Sequence, residues 1–259
     1  GYKGPVAILW ADHLIKNEDE FVKTIKEAEK ICVKNPDKII FIGKKPRFAN
    51  NNLGWIRTGE KISASLFKYK EWSYKPSIEK CEKMFKSKEW LWNTGYFIMD
   101  IDLGCSFYEK FQPKMYKQLV KIEKSIGKTN EKEIVKKIYP QLEKTTFDEA
   151  IAKNISPTEA LVMETTMEWS DPGTLYALKE ALVKKLDENL TKGNVVTKET
   201  KDSVIINEEK SKLLVTLGLK GVIVINTKDA SLVVPKEKVK EISEVLSDFE
   251  NDKKLKKYL

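Results

Sequence analysis

"PVAILWADHLIKNEDEF", residues 5–21, decides the reading of this chain. Val6 to Trp10 is a short apolar run, consistent with a fully covered strand of a parallel sheet. Asn17 reads as the N-cap of the next helix, and Glu20 completes a pair resembling a capping box. Phe21, Ile25, Ala28 and Cys32 then recur at helical spacing, and "KIIFIG" (38–43) supplies another strand. The stretch therefore opens a strand–helix–strand unit, and the expected class is α/β. Asp12 and His13, the only histidine, stand where the apolar strand runs out. Open α/β sheets bind ligands at the carboxyl ends of their strands. A carboxylate there suits a divalent cation held against phosphates. Asp12 reads equally well as a cap of the following turn, and His13 as a local hydrogen-bonding group.

Working outward, "GWIRTGEKI" and "SLFKYKEWSYKP" are two extended segments able to pair through the Ser63 region. Ser77 to Ser87 is a helix with Ile78, Cys81 and Phe85 on one stripe, and Asp102–Phe111, Lys114–Ser125 and Glu131–Ile138 are further helices. "ALVMET" (160–165) returns to strand, and "WSDPGTLYALKEALVKKL" starts a helix with Pro172 near its first turn. After Gly193, "SVIIN", "LLVTL", "VIVIN" and "SLVVP" follow at regular spacing, as stacked coils or a small meander. Val204, Ile206, Leu214, Val222, Val224 and Val233 are the expected inward face. An amphipathic tail helix with Val239, Ile242, Val245 and Leu246 on one side should cover part of it. Two domains are expected, 1–190 and 191–259.

The chain has 259 residues, 41% hydrophobic, enough for a sizeable core. No apolar window is long enough to span a membrane. Cys32, Cys81 and Cys105 form neither a disulfide framework nor a zinc pattern, so a reducing, cytoplasmic setting is expected. The net charge of +8 comes from lysines interleaved with glutamates, and the arginines are Arg47 and Arg57 alone. That pattern is a solvated surface facing small anionic substrates, with no nucleic-acid partner.

Three further clusters carry possible chemistry. In "EWSDPGTL", Asp171 sits between a strand and a helix, either as a second metal-type carboxylate or as the N-cap of the helix. In "WLWNTGYF", Asn93, Thr94 and Gly95 offer an amide, a hydroxyl and bare backbone, suited to sugar hydroxyls or to a tight turn. Lys75, in "YKP", could offer a point charge to a phosphate.

In order, these stretches resemble the mannose-1-phosphate guanylyltransferases, within the sugar nucleotidyltransferases. The family's Pro-Ala-Asp-His strand end is similar to "LWADH", and its Gly-Tyr-Gly-Tyr-Ile segment to "NLGWIRTG". Its Glu-Lys-Pro segment is followed by Trp-Asn-Ser-Gly-Met-Phe, here "WNTGYF". "TTFDEAI" matches Ser-Phe-Asp-Tyr-Ala, and "WSDPGTL" matches Trp-Ser-Asp-Val-Gly-Thr-Trp. The stretch from "GNVVTKETK" onward looks like the family's β-helical appendage.

The resemblance implies a Rossmann-like (glycosyltransferase-A-like) nucleotidyltransferase sheet, a small β-helical domain and a terminal helix. It makes Asp12 and Asp171 the magnesium pair and catalytic carboxylates. Gly54, Asn93, Thr94, Gly95 and Asp148 would line the mannose site, and Lys75 would meet the sugar phosphate. The implied substrates are GTP and mannose-1-phosphate. Apart from the resemblance, the appendage is too small to bury its own inward face and the terminal helix covers only part, so a neighbouring subunit and a homodimer are expected. The family's Gly-rich phosphate loop has no counterpart here. The chain is therefore expected to lack an N-terminal segment, possessed upstream or supplied by a second chain, and to be inactive alone. Tyr74 in place of glutamate and Glu149 in place of tyrosine leave a second expectation, a sugar-phosphate-binding or regulatory homologue without transfer. Pro172 and Leu175 depart from the family pattern as well.

Overall fold

The computed structural model describes residues 2–259 and divides into two compact units. One holds the residues through Ala11 together with Ile15–Trp169; the other holds Asp12–Leu14 and Ser170–Leu259.

In the first unit the elements run β1 (Pro5–Ile8), α1 (Glu18–Lys34), β2 (Ile39–Lys44), β3 (Trp55–Lys61) and β4 (Leu66–Ser73). There follow α2 (Ile78–Ser87), β5 (Trp90–Asp100), α3 (Ile101–Phe111), α4 (Pro113–Glu123), α5 (Glu131–Ile138), α6 (Phe147–Ala150) and β6 (Ala160–Thr165). The six strands form one sheet in the order β1-β5-β2-β6-β4-β3. β3 also pairs with β5, through Trp55↔Trp92, Ile56↔Leu91 and Arg57↔Trp90, so all strands but β1 close into a ring.

β2 runs parallel to β6 and is the buried centre, as its unbroken apolar run requires. Ile40 and Ile42 point to one layer, with Ala28 and Cys32 of α1 and Cys81 and Met84 of α2. Ile39 and Phe41 point to the other, with Phe107 of α3 and Phe147 and Ala150 of α6. Each large apolar side chain among these, fully buried, contributes about 1.5–3 kcal/mol. α1 begins as expected: Asn17 caps it, its side chain accepting from the Glu20 amide at 3.0 Å. The Glu20 carboxylate does not close a capping box; it accepts from Thr166 Oγ1 at 2.9 Å.

Three expectations are corrected here. β1 is not a covered parallel strand: it pairs with β5 alone, antiparallel, and is at most half-buried. Leu9 and Trp10 lie beyond its end and are exposed. In α2, Cys81 and Met84 face the core while Ile78 and Phe85 lie outside it.

The second unit runs α7 (Leu175–Leu182), β7 (Leu190–Lys192), β8 (Val195–Lys198), β9 (Val204–Asn207), β10 (Leu214–Leu217), β11 (Val222–Asn226), β12 (Ser231–Pro235) and α8 (Ile242–Asn251). Val195 pairs with Leu214 and Val204 with Ile223, both parallel and at the same offset, so the chain stacks coil on coil and does not meander. Only β12 returns antiparallel, on β11. Asn207 and Asn226 stack across the coils: Asn226 Nδ2 donates to Asn207 Oδ1 at 2.9 Å, and Asn207 Nδ2 to the Asn194 and Lys212 carbonyls. Gly193 approaches this ladder so closely that a Cβ would sit 1.9 Å from the Asn207 carbonyl oxygen.

The inward face differs from strict alternation. Val204, Ile205, Ile223 and Val224 are the buried set, while Val233 is 67% exposed. α7 packs on β9, where the successive Val204 and Ile205 are both fully buried. α8 buries no residue completely, and Val245 and Leu246 remain exposed.

Asp202 ties the unit together. Its carboxylate accepts from Tyr176 OH at 2.5 Å and pairs with Lys179 at 2.5 Å and Lys236 at 2.6 Å. Lys179 is fully buried and also donates to the Leu186 carbonyl. Burial pushes Asp202 up, but the hydrogen bonds from Lys179, Lys236 and Tyr176 outweigh it and hold the carboxyl below its ordinary value. Its stabilisation is thus present above the unfolded carboxylate pKa of about 3.9 and is lost as pH falls through the lower folded value. Asp202→Asn strands the Lys179 ammonium and should cost about 3–5 kcal/mol in denaturant unfolding at neutral pH. That deficit should shrink in acid, where the wild-type carboxylate is protonated; a deficit independent of pH would contradict the assignment.

Candidate functional site

The site in the first unit is built by an irregularity in β5. Its register against β2 shifts between Phe41 and Gly43, which takes Ile42 out of the ladder. The Thr94 hydroxyl replaces the lost partner, donating to the Ile42 carbonyl at 2.8 Å. Gly95 follows in the left-handed region at φ +74°, and a Cβ there would lie 2.3 Å from Trp10 Nε1. The Gly95 amide donates to Asn93 Oδ1 at 3.0 Å, which turns the Asn93 amide nitrogen outward. That nitrogen donates to Asp148 Oδ1 at 3.1 Å. On the adjoining chain, the Gly54 carbonyl accepts from the Asn93 backbone at 2.8 Å. A Cβ on Gly54 would crowd the Asn93 Cβ at 3.3 Å, so the small residue sets this approach.

Asp148 is presented by the first turn of α6, which Thr146 caps by accepting from the Glu149 amide. Burial pushes the Asp148 carboxyl above its ordinary value, against the backbone and Asn93 hydrogen bonds and the charge of Lys75. Lys75 itself is exposed, at φ +40°, with its ammonium 5.0 Å from the centre of the Tyr74 ring. Gly54, Asn93, Gly95, Asp148 and Lys75 are therefore brought together. Thr94, 1% exposed, lies behind them and shapes the turn.

The second unit holds Asp12, His13 and Asp171. Burial pushes His13 below its ordinary value, while Asp171 and Asp12 both push it up, so the two carboxylates act on one imidazole. Asp171 does not cap α7: Thr174 does, accepting from the Ala177 amide at 3.1 Å, and Pro172 lies before that cap. The Asp171 carboxylate accepts only the Gly173 amide, at 3.1 Å, among the hydrogen bonds of the described residues. Among the described residues, no group of three or more His, Cys, Asp and Glu side chains is placed to hold a metal. Magnesium does not need a group of three, since it usually takes one or two carboxylates and otherwise waters and substrate phosphates.

Sequence reasoning misses Trp10. Its indole is 38% exposed and stands against Gly95, a flat wall beside the Asn93 turn. The signal was present in "LWADH", where the resembled family carries proline before the alanine.

The raised carboxyl of Asp148 gives a stability test. Its ionisation costs stability once pH rises above the unfolded carboxylate value, and the cost is complete above the raised folded value. Asp148→Asn keeps an acceptor for Asn93 and removes the buried charge. Its melting temperature should match wild type near pH 3 and equal or exceed it at pH 7; a clear loss at pH 7 would contradict this.

The family model described as the MannoseP isomerase/GMP-like beta-helix domain matches residues 193–249. Mannose-1-phosphate guanylyltransferase RfbM of Salmonella typhimurium is 26% identical over 92% of this chain and 49% of its own length. The mannose-1-phosphate guanylyltransferase of Salmonella montevideo is 27% identical over 92% of this chain and 51% of its own. The chain thus spans about half the length of these relatives. The crystal structure of mannose-1-phosphate geranyltransferase from Thermus thermophilus superposes with a TM-score of 0.78 at 21% identity, covering 95% of this chain and 70% of that one. In sequence this chain is similar to the curated mannose-1-phosphate guanylyltransferases along nearly its whole length, and in fold to the Thermus thermophilus structure.

Proposed function

We propose that this chain provides the sugar-phosphate side of a mannose-1-phosphate guanylyltransferase. The observation that carries the reading is the convergence of Asn93, Asp148, Gly54 and Lys75 on the β5 turn. Asn93 and Asp148 offer a fixed amide and carboxylate for sugar hydroxyls, Trp10 a flat wall, and Lys75 a charge for the phosphate. The phosphate oxygen of mannose-1-phosphate attacks the α-phosphorus of GTP in line. One P–O bond forms, the bond to the β-phosphate breaks, and pyrophosphate leaves with the electron pair. No protein nucleophile is needed, so the residues act by positioning and by neutralising charge. Asp12 and Asp171 would hold magnesium, which when bound neutralises phosphate charge.

A nucleotide needs backbone donors as well, and residues 1–259 contain no Gly-rich strand-to-helix turn for them. Transfer therefore requires a further segment, upstream or on a second polypeptide. A reading without transfer, as a sugar-phosphate-binding or regulatory subunit, is favoured by Tyr74, whose ring lies under the Lys75 ammonium. We also place a homodimer contact on the second unit. There Val233, Val245, Leu246 and Phe249 line an apolar groove of about 750 Å³.

Guanylyl transfer by the 259-residue chain alone should be undetectable, and should appear when a Gly-rich segment is supplied. Asp12→Asn or Asp171→Asn should then lower kcat at least a hundredfold with mannose-1-phosphate binding retained. Robust turnover by the chain alone would contradict the requirement. Sugar-phosphate binding with no transfer under either condition would select the subunit reading.

The dimer is tested separately by light scattering. Val245→Asp with Leu246→Asp should halve the mass, and a wild type that is already monomeric would exclude the contact.

A further inference from the structure

A second cavity opens in the first unit, at one end of the strand ring. It measures about 720 Å³, within the range of small-molecule sites. Four strands of the closed ring contribute to it, Thr58 from β3, Phe67 from β4, Trp90 and Leu91 from β5, and Glu164 from β6, with Lys45 just beyond the end of β2. The end of α2 adds Phe85, Lys86 and Lys88. None of these residues belongs to the Asn93–Asp148 cluster, and the proposed transfer gives the cavity no role.

Its walls divide by chemistry. Phe67, Phe85, Trp90 and Leu91 make an apolar floor and side. Lys45 is paired with Glu164 at 2.8 Å, so that carboxylate is already neutralised. Among the described residues, none forms an ion pair or hydrogen bond with the side chain of Lys86 or Lys88, and both lysines are exposed. Lysines are abundant over this surface, so two of them alone would select nothing. Set on the rim of an aromatic-floored cavity, they favour a ligand with a flat apolar body and a negative charge. An unpaired rim cation attracts the anion, and the floor gains from covering the ring.

We propose that this ring-end cavity binds a small aromatic anion, with Lys86 and Lys88 on the acidic group and Phe85 and Trp90 along the ring. The probe is 8-anilinonaphthalene-1-sulfonate, with neutral N-phenyl-1-naphthylamine as its uncharged counterpart, titrated into the full chain. Amide shift mapping by NMR should give its largest changes at Thr58, Trp90 and Leu91. Lys86→Glu with Lys88→Glu should weaken the sulfonate at least tenfold and leave the neutral probe within twofold. Lys210→Glu with Lys228→Glu makes the same change in net charge elsewhere, and should leave both probes within twofold. Shifts concentrated on Val245, Leu246 and Phe249 would overturn the proposal. So would equal weakening of the sulfonate by the two double variants, since that would report net charge and no site.

Discussion

One carbonyl that loses its strand partner organises the candidate site. Where β5 slips against β2, the Ile42 oxygen would be left buried and unpaired, at a cost of about 1–3 kcal/mol. Thr94 takes that bond, and the chain can then pass through a left-handed Gly95. The slip is what frees the Asn93 side chain to hold the Gly95 amide with its oxygen and Asp148 with its nitrogen. Remove the hydroxyl, and the ladder has reason to close up in regular register. Each neighbouring feature follows from this arrangement: the small Gly54 beside Asn93, the indole of Trp10 over Gly95, and the buried carboxylate on α6.

The surrounding fold makes the irregularity tolerable. β2 is buried on both sides by two apolar layers, so the strand opposite the slip is firmly held in the sheet. The extra β3–β5 pairing closes the ring just before Asn93 and fixes where β5 can bend. The second unit uses different means. Its coils repeat at a constant offset, and buried polar side chains are held in the Asn207–Asn226 ladder and the Asp202 cluster.

Much of this is legible in the sequence, for identifiable reasons. The α1 cap and the hairpin of β3 and β4 are local patterns whose partners lie nearby in sequence, and the unbroken apolar run of β2 announces burial on both faces wherever its partners lie. The site residues Asn93 and Asp148 are legible only through the order of motifs, because an amide 55 positions from a carboxylate has no periodicity to announce it. β1 is misread because an apolar run does not say how many neighbours it has. The buried pair Val204–Ile205 is misread because alternation assumes one covered face, and here both residues are buried where α7 packs on the strand. The capping alternative for Asp171 is removed only once Thr174 is seen to take the cap.

The Thr94 bond shapes the candidate site that is proposed to take mannose-1-phosphate. Calorimetric titration of mannose-1-phosphate into wild type and Thr94→Val, a swap that keeps the shape and deletes the hydroxyl, tests it most directly. Saturable one-to-one binding by wild type, weakened at least tenfold in a Thr94→Val protein that still melts cooperatively, is the predicted result. Equal affinity in the two proteins, or no binding by wild type at millimolar ligand, would contradict it.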